Sequence, residues 1–575
     1  MSGVELTLPP DLERAVRARL ARLEAEDFAA RLERHDATLW SDDPAHQKVA
    51  ANRLGWLDVP ATLRAQTDAL REFAAEVRGE GFARVVLLGM GGSSLAPEVM
   101  SRALGTAPGF LELEVLDSTS PAAVRAALER GDLATTLFLV SSKSGTTVEV
   151  SCFERAAFSR VEPVRGAGAG RAFAAITDPG TPLEQLARER GYRRVFVNPP
   201  DIGGRYSALS WFGMVPAALI GADLDGLLEA ALAEHRESGA SAGAEQNAAL
   251  RLGAALGELA LAGRDKVTLV LAPPFEPLGS WIEQLLAEST GKQGKGLVPV
   301  VGEPLASPET YGRDRVFVAV TTSSPAALER QLAGIRQAGH PVLSWSRRGA
   351  IEIGAEFMRW EKATAVVGAV LGIDPFDEPN VAEAKQATRS VLDHLAREGD
   401  MPLVPAQVAA GDVEAAAPAD LVRSIQPRIS DPSEPNAWAA ALPSVAQAGD
   451  YFAILAYFRS TPSRLERLER VREMVRLHAG LATTLGFGPR YLHSTGQLHK
   501  GGPNHGIFLE LVAEEDDLEI PGEAYGFHSL VWAQGLGDYQ VLERHGRRVL
   551  RLHLGRDIDR GLDALAEAFS AAPRT

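Results

Sequence analysis

The sequence predicts an α/β protein: two α/β/α sandwich units with parallel sheets, preceded by helices and followed by a folded α/β C-terminal extension. Three observations predict it. Short apolar, β-branched runs alternate with helix-like sequence from residue 83 onward, which is the pattern of parallel strands covered by helices. The alternation restarts after an Ala/Leu-rich helical region at 214–262, and strand-like runs return once more after residue 447.

Residues 1–80 form the N-terminal helical segment, since 10–35 and 60–80 carry Ala, Leu, Arg and Glu with helical apolar spacing. The first unit, 81–240, contains strand-like runs at 83–94, 111–117, 136–147, 171–177 and 193–198. The second unit, 241–395, contains runs at 266–274, 315–324 and 341–346. Residues 396–446 are Ala/Pro/Asp-rich and weakly periodic, and are expected to be a linker or irregular crossover. The C-terminal α/β segment, 447–575, has strand-like runs at 450–458, 506–515 and 548–555 and a His-rich loop between the first two. In such sheets ligands bind beyond the carboxyl ends of the strands, where GMGGSS (89–94) and SSKSGTT (141–147) fall.

Composition bounds the function. At 575 residues, with 45% apolar and 23% charged side chains, the chain reads as a soluble multi-domain protein. A net charge of −16 disfavours nucleic acid or anionic membrane as partner. An anionic small molecule remains compatible with it, because exposed charges are screened over about 8 Å. The single cysteine, Cys152, allows no intrachain disulfide, and the N-terminus lacks an apolar signal core. A cytoplasmic protein is expected.

The richest stretch is WIEQLLAESTGKQGKG (281–296), which ends an apolar helical run on Glu288 beside a Gly/Lys/Ser/Thr loop. A carboxylate there is suited to taking a proton from a bound ligand. SSKSGTT offers five hydroxyls, a lysine and helix N-terminal amides, more than a helix cap needs, and reads as a phosphate cradle. GMGGSS lets a ligand approach the backbone but lacks the GxGxxG spacing of dinucleotide sites. GKQGKG (291–296) fails the GxxxxGK[ST] spacing and follows a helix, which argues against ATP hydrolysis. GGRYSALS (203–210) puts Arg205 in a loop where a guanidinium would stabilise negative charge. YLHSTGQLHKGGPNH (491–505) carries His493, His499 and His505 at a six-residue spacing that matches no zinc pattern, so a proton-transfer histidine is the reading preferred to a metal site.

Taken together, GMGGSS, SSKSGTT, GGRYSALS, EQLLAESTGKQGKG and DPFDEPNVAEAK (374–385) occur in the order seen in glucose-6-phosphate isomerases. Over roughly residues 80–390 the chain resembles that family, which is built from two sugar-isomerase (SIS) units. The tail LGFGPRYLHSTGQLHKGGPNHGIFLEL resembles the isomerase half of bacterial transaldolase–isomerase fusions; the transaldolase half is not expected, because only about 80 residues precede the first sugar loop. The resemblance implies reversible isomerisation of glucose 6-phosphate and fructose 6-phosphate through a metal-free cis-enediol, in glycolysis and gluconeogenesis. It implies no cofactor and a homodimer. Carried over by position, Glu288 is the proton shuttle, Gln284 contacts the sugar, Arg205 stabilises the enediolate, and Lys385 assists ring opening. Ser142, Lys143, Ser144 and Thr147 hold the phosphate, with Gly92 and Ser93 beside the sugar.

Two departures stand out. Glu378 occupies a position where the family has Gln, and no ring-opening His precedes the Lys385 segment. The nearest match ends at His499, which is assigned the ring-opening role; the family often supplies this histidine from its dimer partner. Two other functions fit the same motifs: an isomerase that also accepts mannose 6-phosphate, and a non-catalytic sugar-phosphate-binding SIS regulator. The regulator would have no need of Glu288 or Arg205.

Overall fold

Strands buried on both faces, the mark of parallel sheets under helices, frame the first two units. RVVLLG, TLFLVS and RVFVAVT are buried at every residue, in the strands Arg84–Gly89, Thr136–Ser141 and Arg315–Thr321. The structure, a computed structural model, describes residues 3–322 and 326–573. The last two residues of the expected 315–324 run, 323 and 324, lie outside the described residues.

Three sheets follow one another. The first is five-stranded and wholly parallel, in the order Glu112–Leu116, Arg84–Gly89, Thr136–Ser141, Phe173–Thr177, Arg194–Val197. The second runs Glu5–Thr7, Val342–Ser346, Arg315–Thr321, Lys266–Leu271, Val298–Val300. It is parallel except for Glu5–Thr7, an antiparallel edge strand that the helical reading of the N-terminal segment omits. The third has six strands: Val408–Ala410, Val413–Ala416, Arg548–His553, Gly506–Val512, Tyr451–Tyr457 and Ala482–Phe487. Its last four are parallel, so the C-terminal extension is an α/β unit in its own right.

The 396–446 segment is more ordered than a linker. Val408–Ala410 and Val413–Ala416 pair antiparallel across Gly411-Asp412, and Val413–Ala416 extends the third sheet beside Arg548–His553. The helices Ala419–Ile425 and Pro435–Ala441 then bury Leu421, Ile425 and Trp438 in that unit's outer core. The signal was present: Gly-Asp between two short alternating runs is a hairpin turn pair. Val298–Val300 and Ala482–Phe487 also escape a reading by apolar runs. The former is three residues long with Pro299 on a sheet edge, and the latter, ATTLGF, mixes polar and small side chains.

The first two units share one continuous hydrophobic core, and a second core lies between the second and third units. The third unit is fastened by polar contacts as well. Gln497 donates to the Gly291 carbonyl at 2.9 Å and accepts from the Asn380 amide at 2.9 Å, and Arg476 donates to the Pro304 carbonyl at 2.7 Å. No helix of the described residues is long and apolar enough to cross a membrane.

The helix carrying Glu288, Leu278–Thr290, is backed by the buried helix Ile353–Leu371, with Trp281 edge-on to Phe357 at 4.8 Å between ring centroids. That backing helix is itself fixed by a buried ion network. Glu234 accepts from Arg359 at 2.8 Å through both Nε and Nη2, and from Arg347 Nη2 at 3.1 Å. Removing one member of such a network leaves buried charge uncompensated. Glu234→Ala is expected to lower the stability of the second unit by roughly 3–5 kcal/mol in denaturant unfolding; a loss under about 1 kcal/mol would show that water compensates the arginines.

Candidate active site

Gln284 and Glu288 are four residues apart on the Leu278–Thr290 helix and therefore share a face. Gln284 Nε2 donates to Glu288 Oε2 at 3.0 Å and to the His493 carbonyl at 2.7 Å, while Gln284 Oε1 has no hydrogen-bond partner within the protein. Arg205, in the 3-10 turn Gly204–Tyr206, spans the other side of the carboxylate. Its Nη1 lies 3.3 Å from Glu288 Oε1 and 3.0 Å from Glu378 Oε2. Nε donates to Ser289 at 2.8 Å, and Nη2 to the carbonyls of Pro375 and Asp377 at 2.7 and 2.9 Å.

Burial, and next to it the opposing pull of Arg205, dominates Glu288. Burial wins, assisted by the like charge of Glu378, and the pKa stands above the ordinary carboxylate value. Glu378 is also desolvated, but Arg205 outweighs that and holds its pKa below the ordinary value. Burial works against the charge on Arg205 too, yet Glu288 and Glu378 together raise its pKa.

The SSKSGTT loop leaves the carboxyl end of Thr136–Ser141 and enters the helix Val148–Arg165. Ser142 Oγ lies 3.0 Å from Thr147 Oγ1 and accepts from the Gly145 amide at 3.2 Å, while Ser144 and Thr146 are exposed. Lys143 departs from expectation. Its ammonium is paired with Asp178 and donates to the Pro200 carbonyl at 3.1 Å, so its side chain is engaged away from the hydroxyls. The GMGGSS loop packs against the Arg205 loop so closely that a Cβ on Gly92 would lie 1.9 Å from the Gly204 carbonyl oxygen. Gly91, which sequence reasoning did not single out, has φ +53°, and a Cβ there would sit 2.9 Å from Gln284 Nε2 and 3.1 Å from His493 Cβ. Ser93 is buried beside it.

The histidine at this site is His493, not His499. The 3-10 turn Arg490–His493 follows the Ala482–Phe487 strand of the third sheet, and His493 Nε2 lies 3.2 Å from Glu149 Oε1. Gln534 holds the same carboxylate oxygen at 2.8 Å and accepts from Thr119 at 2.6 Å. Burial pushes the Glu149 carboxyl up, but His493 outweighs it with help from Lys385, and the pKa lies below the ordinary value. Lys385, His493, Glu149, Gln534, Thr146 and Thr147 line one cavity of about 130 Å³. His499 instead sits among Phe508, Tyr491 and Tyr451, with ring centroids 5.0, 5.9 and 6.3 Å away. Both its nitrogens lack partners, and burial, with Lys500 and Arg547 nearby, drives its pKa well below the ordinary histidine value. It is a neutral core ring.

These motifs have counterparts in known proteins. A family model described as phosphoglucose isomerase matches residues 56–298. A glucose-6-phosphate isomerase of Rubrobacter xylanophilus is 30% identical over 415 residues, covering 64% of this chain and 93% of the relative. The chain belongs to the phosphoglucose isomerase family. A second relative, the glucose-6-phosphate isomerase of Symbiobacterium thermophilum, is 29% identical over 389 residues, 59% of this chain and 86% of its own. Among solved structures, a hypothetical protein of Thermus thermophilus superposes with a TM-score of 0.57 at 25% identity, covering 68% of this chain and 100% of the other. A glucose-6-phosphate isomerase of Chlamydia trachomatis shares the fold, with a TM-score of 0.52 at 19% identity over 67% of this chain and 86% of its own.

Gly92, Ser93, Ser142, Glu149, Arg205, Gln284 and Glu288 lie inside the residues matched by the phosphoglucose isomerase model, whereas Lys385 and His493 lie beyond them. Sequence reasoning missed Glu149 and Gln534. Glu149 had a signal, an acid in the first helical turn after the hydroxyl-rich SSKSGTT loop; Gln534 had none. One trio among the described residues, His46, Asp374 and Asp377, could approach a common ion. His46 Nδ1 lies 3.6 and 3.7 Å from the two carboxylates. Lys292 Nζ already stands 2.5 Å from Asp377 and donates to the Asp374 and Asp377 carbonyls, so a cation is in place there.

The shared guanidinium gives a pH prediction with a definite sign. Glu378→Gln removes a like charge from beside Glu288 and frees Arg205 for it, and both changes lower the Glu288 pKa. The acid limb of the kcat/KM profile for sugar-phosphate isomerisation is expected to move to lower pH. An unmoved or raised limb would show that the two carboxylates do not compete for Arg205.

Proposed function

We propose that the chain interconverts glucose 6-phosphate and fructose 6-phosphate through an enediol, with Glu288 carrying the proton between C2 and C1. The observation that carries this reading is Glu288 itself, a buried carboxylate of raised pKa held 3.3 Å from a buried arginine. A base whose pKa approaches the working pH is both ionised enough to accept a proton and acidic enough to return it. Arg205 offers a fixed positive charge where the enediolate oxygen would develop negative charge. No step of this proton transfer requires a cofactor.

Ring opening precedes it, and here His493 replaces His499 in our reading. A proton leaves the anomeric hydroxyl and one is delivered to the ring oxygen as the bond from the anomeric carbon to that oxygen breaks. His493, oriented by its 3.2 Å contact with Glu149, is suited to that exchange, with Lys385 lining the same cavity. Ser142, Ser144 and Thr147, with the loop amides, would hold the phosphate; Lys143 would contribute its backbone, since its ammonium is engaged by Asp178. Gly92, Ser93 and the free Gln284 Oε1 would contact the sugar.

The test is conversion of fructose 6-phosphate coupled to NADP-dependent oxidation of the glucose 6-phosphate formed, run with and without EDTA. EDTA-resistant turnover is expected; no turnover despite calorimetric binding of the sugar phosphate would favour a binding module. Glu288→Gln is expected to lower kcat by roughly 10²–10⁴-fold while Kd for the sugar phosphate stays within about threefold. Near-normal activity in that variant would overturn the assignment. Lys143→Ala is expected to leave KM within about twofold, because its ammonium is spent on Asp178; a large rise in KM would restore it to the phosphate.

A further inference from the structure

The third unit contributes the Arg490–His493 turn and Gln534 to the site. His493 ends the 3-10 turn Arg490–His493, and Arg490 begins it. Side chains three apart on such a turn project to the same side. Arg490 enters the first unit there: it pairs with Glu98 of the Leu95–Leu104 helix and lies 3.3 Å from Asp117, past the Glu112–Leu116 strand. Asp117 in turn accepts from Ser94 at 3.2 Å, at the end of the GMGGSS sugar loop. The other basic groups facing these two acids are Arg102, 3.7 Å from Glu98, and His493 toward Asp117.

Arg490 thus touches Asp117, which meets the GMGGSS loop through Ser94, and Glu98 on the Leu95–Leu104 helix, one turn from the histidine that meets Glu149. The rest of the third unit's hold near His493 is neutral or lies farther along the chain, as with Gln534 on Thr119, Glu515 on Ser120 and Glu523 on Arg155. We propose that Arg490 is the positioning residue that docks the third unit's turn into the first unit. One chain thereby presents its own His493 to its own Glu149, so that the ring-opening histidine and Glu288 come from the same chain. This rests on the ring-opening role given to His493 above. A guanidinium fork across two carboxylates fixes direction as well as distance, which a lysine's point charge does only in part.

The experiment has three arms on the full-length protein. In the first, Arg490→Met is expected to lower kcat for fructose 6-phosphate by about 10- to 100-fold. Its Kd for 6-phosphogluconate, an open-chain ligand that needs no ring opening, should stay within about threefold, and Arg490→Lys should recover part of the lost turnover. A kcat within about twofold of the unaltered protein would overturn the positioning role.

In the second arm, Glu288→Gln and His493→Ala chains are co-expressed. With each site built from one chain, the mixture is expected to be no more active than the separate variants. Recovery of about a quarter of normal activity, the share expected if a dimer pooled residues across subunits, would overturn completion within one chain. This arm also decides the matter if Arg490→Met does not fold.

The third arm reads docking without activity. Amide exchange over residues 490–495 is expected to quicken in Arg490→Lys while the Tyr451–Tyr457 strand stays protected; unchanged exchange would overturn the docking. Should the unaltered protein show no isomerase turnover, the proposed function fails by itself, and this arm still judges Arg490.

Discussion

One guanidinium shared by two carboxylates governs the centre of this molecule. Arg205 faces Glu288 and Glu378 with the same Nη1, and its remaining donors are taken by Ser289 and by the carbonyls of Pro375 and Asp377. The guanidinium cannot swing toward either acid without giving up buried hydrogen bonds, each expensive to leave unmade. Its charge is therefore fixed before any ligand arrives, which is the condition for electrostatic stabilisation without reorganisation. The Asp377 carbonyl is steadied by Lys292 as well, and Ser289 lies on the Glu288 helix, so that helix and loop meet on one cation.

The sheets explain how such distant residues converge. Each parallel sheet delivers loops at the carboxyl ends of its strands, where backbone leaves the core and side chains are free to reach a ligand. The first sheet supplies the GMGGSS loop after Arg84–Gly89 and the hydroxyl loop after Thr136–Ser141. The second supplies the helix that ends near Glu288, and the third supplies the turn after Ala482–Phe487. Close approach follows from small residues at the crossing points. Gly92 lies against the Gly204 carbonyl and Gly291 against Leu498, where a Cβ would lie 1.9 and 2.3 Å from those atoms.

Much of this is legible in the sequence, because it is written locally. RVVLLG running into GMGGSS, or TLFLVS into SKSGTT, states strand, exit and loop chemistry within a dozen residues. The Glu288 helix declares its apolar face and its carboxylate together. What escaped was non-local. His493 and His499 stand in the same Gly-rich stretch, and motif similarity favours the wrong one; only packing separates a ring facing Glu149, 344 residues away, from a ring enclosed by Phe508 and two tyrosines. Lys143 reads as a phosphate ligand because its neighbours are hydroxyls, but Asp178, on the loop after the neighbouring strand, takes its charge. The third sheet's Ala482–Phe487 strand was hidden by threonines and glycine in a position where a buried strand usually shows an apolar run.

The acid at position 378, a departure from the family's glutamine, now has a physical account. Two acids beside one cation need not behave alike, because their surroundings differ. The Glu378 side chain is 41% exposed, and although it is partly desolvated, the pull of Arg205 outweighs that and holds its pKa below the ordinary value. The Glu288 side chain is only 12% exposed, so the shared guanidinium leaves it partly uncompensated. The exposed acid keeps its charge and the buried one is pushed up, the separation that lets one member of a carboxylate pair act as a proton carrier while the other stays ionised. A neutral glutamine at 378 would leave Arg205 wholly to Glu288 and hold the latter more firmly ionised. In this chain the glutamate at 378 therefore tunes the carboxylate proposed as the base by occupying part of its counter-charge.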